Sequence, residues 1–240
     1  MSVTAVDTDS VAGLPVFSGL GEAELARILE AASIERLPAG TMLFQEGDRP
    51  KALHVVVSGT VEIFANRSGR DWGVMLMNAG DVLTPGAVLF DEVYTTCAQT
   101  IGTCKILIID AATVRSEAAL SGRFAMQLGR AMAGQFRLAV RQVLDLKSRN
   151  AAQRLAAFLL KVADQSDTSA PELPMRKRNL AARIGMTPET LSRTFQILAD
   201  NGLVVRGRQI IVRDRERIEQ FCGADANRAP LDESLQVHIL

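Results

Sequence analysis

The 240 residues carry 27 basic and 27 acidic side chains, with 48% hydrophobic and 22% charged residues overall, a composition that excludes a disordered or collagen-like chain and leaves room for two modest domains with separate cores. No apolar run approaches the ~20 residues that a bilayer-spanning helix requires, and the opening MSVTAVDTDS lacks the charged and apolar regions of a secretory signal, so no membrane partner and a cytoplasmic location are expected. Cys97, Cys104 and Cys222 are odd in number and without CxxC spacing, which argues against a disulfide framework or a tetrahedral zinc site.

After an N-terminal segment, 1–16, the stretch FSGLGEAELARILEAASIER at 17–36 places Leu20, Leu25, Ile28 and Leu29 on one helical face, with Ser18 as its cap. From Glu35 to Asp110 the pattern changes to short β-branched runs: TMLF, LHVVV, TVEIF, WGVMLM, TTCAQT and KILIID. Turns at EGD (46–48), SG (58–59), NRSGR (66–70) and AGD (79–81) space these runs as an antiparallel meander or barrel, while TPGA at 84–87 reads as a bend.

Helix signals return from Ala111 to Leu146. Met132, Phe136, Ala139, Val143 and Leu146 are spaced four, three, four and three, a heptad seam that predicts a dimer helix. A second row, Phe124, Leu128, Ala131 and Leu138, lies on another face and suits packing on the chain's own β-domain. The alternative is one broad core-facing stripe in a monomer. Arg149–Asn150 reads as a hinge, AAQRLAAFLLKVAD as a further amphipathic helix, QSDTSAPELP (165–174) as a polar loop, and 223–240 as a mobile tail.

The zero total hides a basic module. Between Arg176 and Arg213 there are eight basic residues against Glu189 and Asp200, the footprint of a surface that meets phosphates. RKRNLAARIGMTPETLSRTFQILAD at 176–200 holds two short helical patterns separated by Gly185, a helix-turn-helix spacing. Leu180, Ala181 and Ile184 form the first helix's inner face, and Leu191, Phe195 and Leu198 the second's. Thr187 is the expected N-cap and Pro188 the first helical residue.

The opposite face then presents Glu189, Ser192, Arg193 and Gln196. Arginine can bond guanine O6 and N7 bidentately, glutamate can accept from cytosine N4, and serine is small enough to approach a base edge, so Glu189, Ser192 and Arg193 are the candidate base readers of double-stranded DNA. Arg176, Thr187, Arg206 and Arg208 are the candidate phosphate contacts, the last two on a wing formed by LVVRGRQIIVRD at 203–214. The competing reading of Glu189 and Arg193 is an i,i+4 ion pair on a solvated face. An enzyme is the rival from another class; the sequence has only His54 and His238 as histidines, no nucleophile–base motif and no GxxxxGK[ST] loop.

With EGD, SGTVEIF and AGD, a long helix ending near Asn150 and a winged helix in that order, the chain resembles the superfamily of the cyclic AMP receptor protein and the fumarate-nitrate reduction regulator over roughly residues 17–220. The resemblance implies an α+β fold: an antiparallel β-roll of the cyclic-nucleotide-binding, double-stranded β-helix kind (17–114), a long dimerisation helix (115–149) and a winged helix-turn-helix (150–222). It also implies a homodimer that binds a palindromic promoter and contacts RNA polymerase, usually as an activator. PETLSR at 188–193 is similar to the fumarate-nitrate branch, implying TTGAT-like half-sites about one helical turn apart.

The resemblance places an effector pocket at Thr84, Pro85, Tyr94, Thr95, Ala139 and Val140. The family's Gly-Glu and Arg-Ser, which clamp ribose and phosphate, read here as Thr84–Pro85 and Tyr94–Thr95, so an anionic phosphate loses its arginine and cyclic AMP is disfavoured. No cysteine precedes Val16, which argues against the iron–sulfur cluster of the fumarate-nitrate branch. Haem, carried by gas-sensing relatives, would have His54 or Cys97 as its protein ligand, although a core histidine and a packed thiol are the commoner outcomes. The apolar surroundings of Phe136, Ala139 and Val140 suit a hydrophobic or small uncharged effector, or none. The alternative reading is a ligand-binding or haem-based gas or redox sensor whose DNA binding is conditional on that ligand; a ligand-binding module that has lost DNA contact is a third, against which the intact Glu189, Ser192 and Arg193 row counts.

Overall fold

The computed structural model describes residues 3–4, 11–164, 166, 170–173 and 177–223. They form two compact units, one running to Leu138 and the other from Ala139. In the first, β1 (Val3–Thr4) and a 3-10 turn (Pro15–Phe17) lead to α1 (Glu22–Glu30), β2 (Ala32–Leu37), β3 (Met42–Phe44), β4 (Ala52–Ser58), β5 (Val61–Arg67), β6 (Arg70–Met77) and β7 (Val82–Leu83). After α2 (Pro85–Phe90) come β8 (Cys97–Thr100), β9 (Cys104–Asp110), α3 (Ala111–Leu120) and α4 (Gly122–Ser148), the last continuing into the second unit.

The strands pair antiparallel in a five-stranded sheet, β1-β2-β9-β4-β7, and a four-stranded sheet, β3-β8-β5-β6. The five-stranded sheet is covered on both faces, which is why LHVVV and KILIID read as continuous apolar runs and not as alternating ones. Leu53, Val55, Leu107 and Ile109 share a core with Leu25, Ile28 and Leu29 of α1, Val114 of α3 and Phe124 and Leu128 of α4. Val56 and Ile106 share the other core with Phe44, Val61, Ile63, Met77, Leu83 and Tyr94. Full burial of each such side chain contributes roughly 1.5–3 kcal/mol.

Several local expectations are corrected. The helix expected over 17–36 covers only Glu22–Glu30. It is capped at Gly21, whose N–H donates to Glu24 Oε2 at 2.9 Å, and not at Ser18. Residues 32–37 are a strand because they pair with β9 from Ala32↔Ile109 to Leu37↔Cys104. The 84–87 bend is the start of α2, with Pro85 at a first-turn position where its missing N–H costs nothing. Ser121 separates α3 from α4, and its hydroxyl accepts from Phe124 N–H at 3.1 Å. Arg27 ties α1 to α3 through a guanidinium–carboxylate contact with the buried Glu117 at 2.9 Å.

The second unit contains α5 (Ala151–Asp164), α6 (Lys177–Ile184), α7 (Pro188–Asp200), β10 (Leu203–Arg206), β11 (Gln209–Val212) and α8 (Arg215–Cys222). Leu155, Leu159, Leu180, Leu191, Leu198, Leu203, Ile210 and Ile218 make one core from all of these elements. At the start of α5, Asn150 and Gln153 exchange hydrogen bonds between backbone N–H and side-chain oxygen at 2.9 and 3.0 Å, which closes the first turn. The tail from 224 onward, and with it His238, lies outside the described residues. Among the described residues no helix is long and apolar enough to cross a membrane.

Candidate nucleic-acid interface and β-roll cleft

Gly185 sits between α6 and α7 at φ +74°, a left-handed conformation that glycine adopts without strain and that turns the second helix across the first. Thr187, extended at φ −77° and ψ 157°, accepts from Thr190 N–H at 3.2 Å, and Pro188 follows in the first turn, as the sequence predicts. Leu191 and Leu198 are buried and Phe195 partly so. Thr194 joins this inner face, its hydroxyl donating to Thr190 O at 2.8 Å; hydrogen bonding within the helix satisfies a polar residue that periodicity alone would leave unassigned. Lys177 of α6 sits 5.1 Å from the centre of the Phe195 ring, a cation–π contact that ties the two helices together.

With that face committed, Glu189, Ser192, Arg193 and Gln196 are exposed together on α7. A hydrogen bond from its own backbone N–H, then one from the Thr187 hydroxyl, holds the Glu189 carboxyl below its usual range, and the Arg193 charge is the smallest influence. The i,i+4 pairing is thus secondary to capping. Ser192 Oγ donates to Pro188 O at 3.0 Å, which keeps the hydroxyl close to the helix and the face low between Glu189 and Arg193.

The wing is the hairpin β10–β11, in register from Leu203↔Val212 to Arg206↔Gln209. Arg206 is exposed at its tip. Arg208 serves the fold as well: it donates to Leu173 O at 2.8 Å and pairs with Glu172 at 3.5 Å, holding that segment beside the wing, where Glu172 bridges Gln209. Arg176 lies outside the described residues.

In the first unit a cleft of about 340 Å³ is lined by Thr84, Gly86, Ala87, Phe90, Glu92, Val93, Tyr94, Thr95, Met132 and Gln135. Thr84, Tyr94 and Thr95 of the expected pocket meet there. Pro85 is buried in α2 and does not line it. From α4 the lining takes Met132 and Gln135, not Ala139 and Val140 further along the helix. A Cβ added to Gly86 would stand 3.3 Å from Met132 Cε, a tight contact that the end of the methionine side chain would have to ease, so α2 and α4 meet closely at this glycine. Tyr94 is itself core: its ring stacks on Phe44 with centroids 3.9 Å apart, its hydroxyl donates to Ala52 O, and burial, aided by the Asp48 charge, pushes it up to about 12. Among the described residues Glu92 is the single acidic side chain in the lining, and no arginine or lysine lines the cleft.

The two haem-ligand candidates are elsewhere. His54 is buried with its ring 5.9 Å from Phe44, and burial pulls it down to about 4. Cys97 Sγ accepts from Glu46 N–H at 3.4 Å. Neither lines the cleft, so neither is placed to ligate a haem there. Of the heptad seam, Phe136 and Val143 are 70% and 49% exposed, Met132 and Ala139 are half-buried, and the Leu146 side chain lies outside those described.

Residues 153–221 match the Crp-like helix-turn-helix domain, and residues 34–119 match the cyclic nucleotide-binding domain. The chain is 27% identical to the cyclic AMP receptor protein of Thermus thermophilus over 87% of this chain and 97% of that one. It is also 27% identical to the fumarate and nitrate reduction regulatory protein of Escherichia coli K12, over 79% of this chain and 78% of that one. The structure of FixK2 from Bradyrhizobium japonicum matches with a TM-score of 0.64 and 25% identity, over 79% and 96% of the respective chains.

Proposed function

The chain belongs to the superfamily of the cyclic AMP receptor protein and the fumarate-nitrate reduction regulator, DNA-binding transcription regulators, and from this premise we propose that it is a homodimeric activator reading an inverted repeat of TTGAT-like half-sites. The observation that carries the reading is the exposed row Glu189, Ser192 and Arg193 on a helix whose start is fixed by Thr187 and Pro188. Arg193 takes the guanine of the half-site through O6 and N7, Glu189 accepts from a cytosine N4, and Ser192 leaves room for a base edge. Thr187 and Arg206 face the phosphates, with Arg176 beside them in sequence; Arg208 reaches the backbone while it keeps the wing tied to Leu173. RNA polymerase is the partner of the bound dimer. Cyclic AMP is not its signal, since the cleft offers a phosphate no cation and presents Glu92.

The test is a binding assay at fixed salt on duplexes carrying TTGAT repeats and single-base changes in them. Arg193→Ala should lose about 10- to 100-fold of the preference for the guanine-containing site while retaining non-specific binding. An unchanged preference would remove Arg193 from base reading and with it the TTGAT assignment.

A further inference from the structure

We propose that Gln196 is a further base-reading side chain of α7, taking the adenine of the A·T pair next to the guanine that Arg193 reads; this rests on the regulator reading above and extends it by one base pair. Gln196 is exposed, and it follows Glu189 by seven residues, Ser192 by four and Arg193 by three, so all four stand on one face of the helix. A spacing of i, i+3, i+4 and i+7 is how a helix lying in a major groove presents its readers. Along the helix axis Gln196 stands about 4.5 Å beyond Arg193, at ~1.5 Å per residue, against ~3.4 Å for one base-pair step. Its reach therefore falls on the adjoining pair and not on the guanine itself.

A glutamine on a helix surface is ordinarily accounted for by a hydrogen bond to a polar neighbour three or four residues away. On α7 those neighbours are Ser192, Arg193 and Asp200. Ser192 Oγ is turned onto Pro188 O at 3.0 Å, and among the described residues neither Arg193 nor Asp200 takes the Gln196 amide. The amide keeps its oxygen and its NH₂ group for an outside partner. Only adenine presents a donor beside an acceptor in the major groove, N6–H and N7, which the two ends of one amide meet in a single plane. Guanine shows two acceptors, cytosine a donor alone, and thymine an acceptor beside a methyl group. Because the Ser192 hydroxyl lies back along the helix, the face is low between Glu189 and Gln196 and both can reach inward. Asp200, next in the same row, is an exposed carboxylate that phosphates repel, so the reading face ends at Gln196. In a TTGAT-like half-site the guanine is followed by adenine, the base this amide matches.

The experiment uses the full chain and measures affinity at one fixed salt for an inverted repeat of TTGAT and for duplexes changed at each position of the half-site in turn. Gln196→Ala should lose about 5- to 100-fold of the preference for A·T at the pair after the guanine, while the preference for guanine changes by less than about twofold. Gln196→Glu, which exchanges the amide donor for a second acceptor oxygen, should move the preference at that pair from adenine to cytosine, whose N4 amino group it accepts. Placing 7-deazaadenine there removes N7 alone; it should weaken the parent about fivefold and leave Gln196→Ala unaffected, a coupling that a role in helix packing cannot produce. Gln196 is exposed and alanine is the stronger helix former, so the alanine variant keeps its fold. An unchanged preference in Gln196→Ala, a loss at any pair other than the one after the guanine, or an equal penalty for 7-deazaadenine in parent and variant would each overturn the proposal. A guanine preference that survives Arg193→Ala would take down the DNA reading and this inference with it; intact dependence on Arg193 with no effect of Gln196 removes this inference alone.

Discussion

His54 and Asp81, both buried in the β-roll, bind protons in opposite senses as the roll folds. Burial holds His54 down to about 4 from an ordinary 6.5, so below pH 6.5 the unfolded chain takes up a proton that the native imidazole refuses. Its contribution is complete above pH 6.5 and is lost as pH falls through 4, about 3 kcal/mol across that window. Asp81 is raised from 3.8 to about 7 by burial, against the opposing hydrogen bond from Asn78 N–H at 2.7 Å. Its contribution is complete below pH 3.8 and is lost as pH rises through 7. Between pH 4 and 6.5 the two slopes oppose each other and flatten the parent's melting curve. Replacing either should expose the other: His54→Leu should melt progressively lower as pH rises from 4 to 7, and Asp81→Asn, which retains an acceptor for Asn78, should melt higher than the parent at pH 8. Melting temperatures recorded from pH 4 to 8 decide this, and curves parallel to the parent's in both variants would discard it.

At the scale of elements, α7 depends on its first turn. Thr187 satisfies Thr190 N–H and also holds the Glu189 carboxylate, so Thr187→Ala should cost about 1 kcal/mol in urea unfolding of the full chain, with Thr187→Ser close to neutral. The same loss frays the turn that carries Glu189, so discrimination at the base pair read by Glu189 should fall more than at the pair read by Arg193, one turn further in; equal erosion at both would show that the cap does not position the reader. This helix was legible in the sequence because its signals are local: a turn glycine, a capping hydroxyl, a proline and an apolar face. The runs that became β4, β5 and β9 were legible for the same reason. The elements misread or passed over depend on distant partners. Ile34 and Leu37 continue a helix-like apolar spacing from α1, and only pairing with β9 makes 32–37 a strand. Val82 and Leu83 are a strand only because they lie beside β4. Met132 and Gln135 enter the cleft because α2 approaches α4 at Gly86, and no spacing along the chain announces that approach.

For the whole molecule, the surface offered by α4 keeps Phe136 and Val143 of the seam expected from heptad spacing and adds Val140 and Leu144 beside them. Met132 is half-buried against Gly86 in its own cleft, while Phe136, Val140, Val143 and Leu144 are exposed at i, i+4, i+7 and i+8, forming one apolar stripe. Four large apolar side chains in line on one helix are more than a solvated face accounts for, and under the homodimer proposed above a second copy of the same stripe would be the self-complementary partner that two-fold symmetry supplies. The regulator reading needs that symmetry, since an inverted repeat requires two copies of α7 at a fixed separation. Sedimentation equilibrium should therefore return twice the mass of one chain, and Phe136→Glu combined with Val143→Glu should return a single chain. Because Phe136 is 70% exposed and Val143 is 49% exposed within one chain, the double variant should keep the monomer's fold, checked by circular dichroism. Its affinity for a full inverted repeat should fall to that for one half-site. A parent that sediments as one chain, or a double variant that still binds the repeat as a dimer, would move the two-fold contact away from this stripe.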